Sequence, residues 1–329
     1  MDEAERISSF WEWWDRYETT LSFMLDKGAG GAALRTFGPQ LERRISEIDR
    51  RLRYRIRDGT GRGQRTLVIT AQGDGLALAV ARRVRDAAPA PTKRWAYTNL
   101  LPRLADLEEE AMQANGLPVR LRDMRLEVHD MARKVDLLIW HPLWPHFSEE
   151  ERLSLGATIV AATLGEEIIE CWVGDIQVAD ERPEETVSLA KLRDIVDDIR
   201  SRFVPLPGES PWTVVQGTRY DGAEVHARVQ VPICAAREPL FEKVVTIRLQ
   251  LEDPAGSPHA DSLEERIVEA IGFDGELVAV ETVGALRTWY CYVRPDTDAV
   301  QRLMNLAKAE ELPAEAANDP TWEVVSHLS

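Results

Sequence analysis

The chain has 329 residues, enough for two domains of ordinary size. Apolar residues make up 44% and charged residues 29%, the balance of a globular protein, and a net charge of −16 disfavours a general nucleic-acid-binding surface while leaving room for a local basic patch. Cys171, Cys234 and Cys291 are odd in number, far apart and without a Cys-x-x-Cys pair, which argues against a disulfide framework or zinc knuckle and for a reducing compartment.

Met1 to Arg6 is acidic and polar, and no stretch approaches a membrane span, so a cytoplasmic protein is expected. Ser9 with Glu12 reads as a capping box. Phe10, Trp13, Trp14, Tyr17, Leu21 and Met24 then follow at helical spacing to a stop at Gly28. Trp11 lies off that stripe and is a candidate contact residue, since aromatic side chains are enriched in interfaces as well as cores. Gly30-Gly31 reads as a break and Pro39 as the first turn of a second helix, with Leu41, Ile45, Ile48 and Leu52 as its stripe. The other face carries Arg43, Arg44, Arg50 and Arg51, continued by Arg53, Arg55 and Arg57. It is either a solvated face paired with Glu42, Glu47 and Asp49, or a docking patch for an acidic partner or RNA phosphates.

Asp58 to Gly63 is a turn between strands, and Thr66 to Ala71 is the second of them. Gly73-Asp74-Gly75 leads into a helical Leu76 to Val84; a dinucleotide fingerprint would need its third glycine at Leu78, so an ordinary strand-to-helix turn is expected. Trp95 to Leu101 reads as a strand, and Leu107 to Ala114 as a short helix. Met124 to Val128 and Val135 to Trp140 read as a strand pair, the second apolar enough for burial on both faces. His141-Pro142-Leu143-Trp144-Pro145-His146 brings two histidines within reach of one metal but offers no third ligand, so a rigid capping loop is favoured, with Trp144 and His146 as contact candidates.

Ser148 caps a helix that ends at Leu164-Gly165, and Glu149, Glu150 and Glu151 suit its first turn. Glu166, Glu167 and Glu170 precede a strand marked by Trp172, Ile176 and Val178. Clustered carboxylates can act as acid and base, but with no partner nucleophile they read as a solvated helix end, and Glu166 and Glu167 are kept as contact candidates. Leu189 to Ile199 is an amphipathic helix. Phe203 to Pro211 holds three prolines and a glycine and is the natural linker.

Beyond it, Trp212 to Arg219 and Glu224 to Ile233 flank Asp221-Gly222 as a hairpin, with His226 on the polar face. Val245, Ile247, Leu249 and Leu251 alternate as a strand; Ser262 to Ile271 is a helix; Leu277 to Val283 and Thr288 to Val293 are strands joined at Gly284. A helix from Thr297 to Leu312 and a short apolar end at Trp322 to Val325 complete a β-α-β-β-α-β order. The expected fold class is α+β, with two α/β sandwich domains: 1–203 with leading Trp-rich helices, a Pro-rich linker at 204–211, and 212–329 as a ferredoxin-like domain with an added N-terminal β-hairpin.

Several short stretches in combination carry a resemblance: Phe10-Trp11-Glu12-Trp13-Trp14, Leu67-Val68-Ile69-Thr70-Ala71-Gln72-Gly73, Ala87-Ala88-Pro89, Trp95, Leu164-Gly165-Glu166 and Val173-Gly174, then Trp212, Asp221-Gly222 and the Gly284 to Tyr292 hairpin with Tyr290 and Tyr292. On these the chain resembles a bacterial family catalogued as domain of unknown function 695. Some domains related to that family are joined to one resembling the B-type regulator of ribonuclease E, itself ferredoxin-like. The resemblance implies a fold and brings no activity with it.

The chain lacks a Gly-x-Ser-x-Gly elbow, a Walker loop and a His-Glu-x-x-His helix. With ten tryptophans and a strong acidic balance, the expected function is a non-enzymatic protein-binding module, regulatory or immunity-type, with another protein as partner and no cofactor or metal. One alternative is RNA binding on a sheet face presenting Thr288, Tyr290, Tyr292 and Arg294. Another is a hydrolase pairing His141 or His146 with Glu166 or Glu167.

Overall fold

Helix α1 (Glu3–Asp26) starts earlier than Ser9. Asp2 accepts from the Glu5 N–H at 2.8 Å and the Glu5 carboxylate accepts from the Asp2 N–H at 3.0 Å, so the capping box sits about two turns upstream of the expected one. The computed structural model describes residues 2–328 apart from 29, 60–62, 204–211, 219–221 and 253–257. Most of the proline-rich stretch and part of the Asp221-Gly222 turn therefore lie outside the described residues. The chain divides into two compact units, Met1–Pro102 and Arg103–Ser329.

In the first unit α2 (Gly30–Ile48) takes in both Gly30-Gly31 and Pro39, where a break and a helix start were expected. Pro39 removes one intrahelical donor, but Ala33, Phe37, Leu41, Ile45 and Ile48 form one buried stripe across it, and packing of that stripe outweighs the lost bond. Strands β1 (Arg53–Asp58) and β2 (Arg65–Thr70) are antiparallel, and α3 (Leu78–Asp86) crosses to β3 (Trp95–Thr98), parallel to β2. The α1 tryptophans pack on this sheet: Trp14 Nε1 donates to the Tyr97 hydroxyl at 3.1 Å, and Trp95 Nε1 donates to Ser22 Oγ at 2.7 Å.

The second unit opens with a hairpin, β4 (Ala111–Ala114) and β5 (Leu117–Arg120), where a helix over Leu107–Ala114 was expected. Asn115-Gly116 decides it: both residues have positive φ, 50° and 77°, the conformation of a two-residue hairpin turn. β6 (Arg125–Asp130) and β7 (Val135–Trp140) pair antiparallel, and β8 (Val173–Val178) lies parallel to β7 after α4 (Glu149–Leu164) and α5 (Glu166–Trp172). Only one face of β7 is fully buried, Val135, Leu137 and Ile139; Asp136, Leu138 and Trp140 are half-buried, so the apolar run overstated its burial. α6 (Leu189–Ser201) follows.

Six strands then form one antiparallel sheet: β9 (Trp212–Thr218), β10 (Glu224–Gln230), β11 (Lys243–Gln250), β12 (Gly275–Val283), β13 (Leu286–Val293) and β14 (Ala314–Asn318), in the order β14-β11-β13-β12-β10-β9. Helices α7 (Pro258–Ile271) and α8 (Ala299–Ala309) pack on one face, where Leu263, Ile267 and Leu303 meet Val245, Ile247, Val280 and Trp289. The last strand is the small-residue segment at Ala314, not Trp322 to Val325. An edge strand with exposed side chains needs no apolar run, and Trp322 and Val325 instead anchor a 3-10 turn, Glu323–Leu328. The architecture is mixed α+β.

Cys171 and Cys234 are joined by a disulfide, their Cα atoms 5.2 Å apart, which corrects the expectation of unpaired thiols. The two are 63 residues apart in sequence, and spacing alone gave no signal for the pair. Cys291 is free and buried. No helix among the described residues is long and apolar enough to cross a membrane.

Candidate interaction surfaces

The turn Gly272-Phe273-Asp274 between α7 and β12 carries the most exposed aromatic side chain among the described residues: Phe273 reaches 106% of its reference accessibility. The backbone beneath it is fixed. The Gly272 N–H donates to Val268 O at 3.1 Å, the Arg294 N–H donates to Asp274 O at 2.8 Å, and Gly272 takes φ 60°. Arg302 on α8 reaches underneath, giving Nε to Ala270 O at 2.7 Å and Nη2 to Ile271 O at 3.1 Å and to Asp274 Oδ2 at 2.7 Å. The Asp274 carboxylate in turn raises the Arg302 pKa. A clamped turn thus holds an apolar ring out in water, forgoing about 2 kcal/mol of burial.

Phe273 lies on neither the helical stripe nor the strand alternation, so periodicity passes over it. The readable signal is an aromatic residue enclosed by turn formers, Gly272-Phe273-Asp274-Gly275.

A groove of about 850 Å³ opens where the β9–β10 hairpin carries the sheet past α7. Most of its charges pair with one another: Arg228 meets Glu264 at 2.7 Å and lies over the Trp212 ring, Arg287 is 4.0 Å from Asp261, and exposed His226 is 3.7 Å from Glu224. Mutual pairing makes it a solvated trough.

The residues singled out in the sequence do not converge. Trp11 is buried, its Nε1 donating to Val84 O at 2.9 Å and its ring edge-on to Tyr97, so it ties α1 to its own unit's core. Trp144 is fully buried against His141 and Phe147. His146 is exposed at the end of that turn, whereas His141 is buried. The His141 ring is fully engaged: Nε2 bonds to Arg120 O at 3.1 Å and Nδ1 accepts from the Leu143 N–H at 3.1 Å, while burial lowers its pKa. Neither nitrogen is left for proton transfer. Among the described residues no group of three or more His, Cys, Asp or Glu side chains is arranged to hold a metal.

Tyr290 and Tyr292 lie on the sheet face opposite the helices, as alternation predicts, but both are buried. The C-terminal turn covers them: Trp322 stacks on Tyr292 with ring centroids 4.5 Å apart, and His327 sits edge-on to Tyr290. Their hydroxyls donate to Glu281 (2.7 Å) and Asp319 respectively. Rings so covered have no face for a stacked base, and Arg294 is held by Asp296 at 2.9 Å.

Glu167 is exposed, but Glu166 is buried, and Glu170, one turn along α5, is half-buried. Burial first, and then the Glu166 carboxylate, push Glu170 up to about 7, against the opposing pull of Lys134. Burial likewise lowers Lys134, with Arg133 adding to the shift. The expected solvated helix end is therefore a half-desolvated charge cluster, with Glu167 its one open member.

Charge is divided very unevenly. Residues 1–102 hold 18 of the 40 lysines and arginines but only 13 of the 56 acidic residues, a net +5; the other 22 and 43 give residues 103–329 a net −21. Comparison of the chain with protein-family models, curated proteins and solved structures gives no match.

Proposed function

We propose that the chain is a non-enzymatic protein-binding module, regulatory or immunity-type, whose partner contact is anchored by Phe273. The observation that carries the reading is a wholly exposed aromatic ring on a turn fixed by Arg302. Rigid presentation removes part of the ordering cost of association, and aromatic residues filling a partner pocket supply a large share of binding energy. The order β14-β11-β13-β12 and the two helices on one face support a ferredoxin-like unit from β11 to β14, extended by the β9–β10 hairpin, with Phe273 at its first helix-to-strand turn. The stretches that resemble the family catalogued as domain of unknown function 695 are consistent with that unit, through the Gly284 to Tyr292 hairpin.

The test is affinity capture from a lysate of the source organism with the intact chain and with Phe273→Ser. The expected outcome is a stoichiometric protein partner held by the first and lost, at least tenfold, by the second. Recovery of no such partner, or equal recovery by both, sinks the proposal.

A further inference from the structure

Strand β1 is the open edge of the first unit's sheet, whose order is β1-β2-β3. The Gly59 N–H donates to Gln64 O at 2.8 Å, which fixes the alternation of the ladder. By the register of β1 with β2, Arg53, Arg55 and Arg57 turn their backbone groups toward β2, and Tyr54, Ile56 and Asp58 turn theirs outward. Among the described residues, two carbonyls along this edge find donors only in the strand's own arginines: Arg53 Nη1 donates to Leu52 O at 2.9 Å, and Arg55 Nη1 to Tyr54 O at 3.0 Å. Arg50, Arg53, Arg55 and Arg57 are all exposed, and none has a carboxylate partner among the described residues. This contrasts with Arg51, which forms two bonds to Asp49.

The two faces of β1 differ. Arg53, Arg55 and Arg57 share one face. On the other, Tyr54 and Ile56 face α2 and border a groove of about 420 Å³, where Leu34, itself 46% exposed, and Ile45 supply apolar wall. A strand added along this edge would alternate between the two: every second side chain over the groove with its Leu34 and Ile45 wall, the rest beside guanidinium groups.

We infer that β1 is a docking edge for an extended segment of a partner protein in which acidic and apolar side chains alternate. The segment's N–H groups replace the arginines at the edge carbonyls, and the released guanidinium groups pair with its carboxylates. The net positive charge of residues 1–102 suits that occupant. The proposal uses no residue of the Phe273 turn, so failure of either assignment leaves the other standing.

Fluorescence anisotropy of the full chain with a labelled peptide of alternating valine and glutamate tests this, alongside the two forms of that peptide N-methylated at alternate amides and a single-stranded oligothymidylate of equal charge. Binding is expected for the parent peptide, with at least a tenfold loss for one N-methylated form, because only one set of amides faces β1. Arg53→Glu with Arg55→Glu should cost tenfold or more while Phe273→Ser changes nothing. The N-methylated peptides probe the unaltered chain, so they decide even if the double variant fails to fold. No binding of the parent peptide, equal binding of both N-methylated forms, or tighter binding of the oligothymidylate overturns the inference.

Discussion

Arg302 and Asp274 form a 2.7 Å ion pair that ties the start of α8 to the turn after α7. Since the same guanidinium bonds the Ala270 and Ile271 carbonyls, one side chain closes the C-terminal end of α7 and sets the angle of Phe273. Arg302→Gln should keep the fold, cost about 1–2 kcal/mol, and raise hydrogen exchange at the 272–275 amides. Exchange unchanged from the parent would show that the turn is held without the clamp.

Removing the Cys171–Cys234 bond frees a long loop in the unfolded chain. For a sequence separation of 63, the expected loss is roughly 4 kcal/mol. Urea denaturation of Cys171→Ser with Cys234→Ser, compared with the oxidised parent, measures it. Coincident midpoints would mean that the crosslink contributes nothing.

Glu170 makes stability depend on pH near neutrality. Its folded pKa of about 7 stands above the ordinary 4.5, so between those values the folded state holds a proton that the unfolded state has released. Stability therefore falls as pH rises through that window, by up to about 3 kcal/mol from this group. Glu170→Gln should flatten the slope between pH 5 and 7 in denaturation series. An identical slope in the variant would assign the dependence elsewhere.

Gly275 opens β12 where no side chain fits. A Cβ there would lie 2.3 Å from the Tyr292 carbonyl oxygen and 2.8 Å from Val293 Cα, both backbone atoms of the neighbouring strand. Gly275→Ala should cost about 2 kcal/mol or more by thermal denaturation, through forced displacement of β13.

Trp11→Phe separates core from contact. It removes the bond to Val84 O and part of a buried ring, for an expected loss of about 1–2 kcal/mol with no change in partner capture. Weakened capture at equal stability would return Trp11 to the contact surface.

Periodicity carried the helix-backed sheet well, because alternation in β11 and β13 and the α7 stripe each answer to one buried face. It carried the sites poorly. Tyr290 and Tyr292 do face away from the helices, but what covers them is a 3-10 turn, whose contribution to the core, Trp322 and Val325, has no period to read. The same holds for the disulfide, which depends on two distant residues meeting. Asn115-Gly116 is different: the pair is a two-residue turn signal in the sequence itself, and the helix expected over Leu107–Ala114 took no account of it. Phe273 shows the remaining gap. Exposure is a property of what does not pack on a residue, and a sequence shows only the residue.

The division of charge at Pro102 has an electrophoretic consequence. The overall −16 describes neither portion, so a cut there would release polypeptides drawn to opposite electrodes at neutral pH. The intact chain should bind to both anion- and cation-exchange resins at low ionic strength, so that one molecule with two signs gives retention on each.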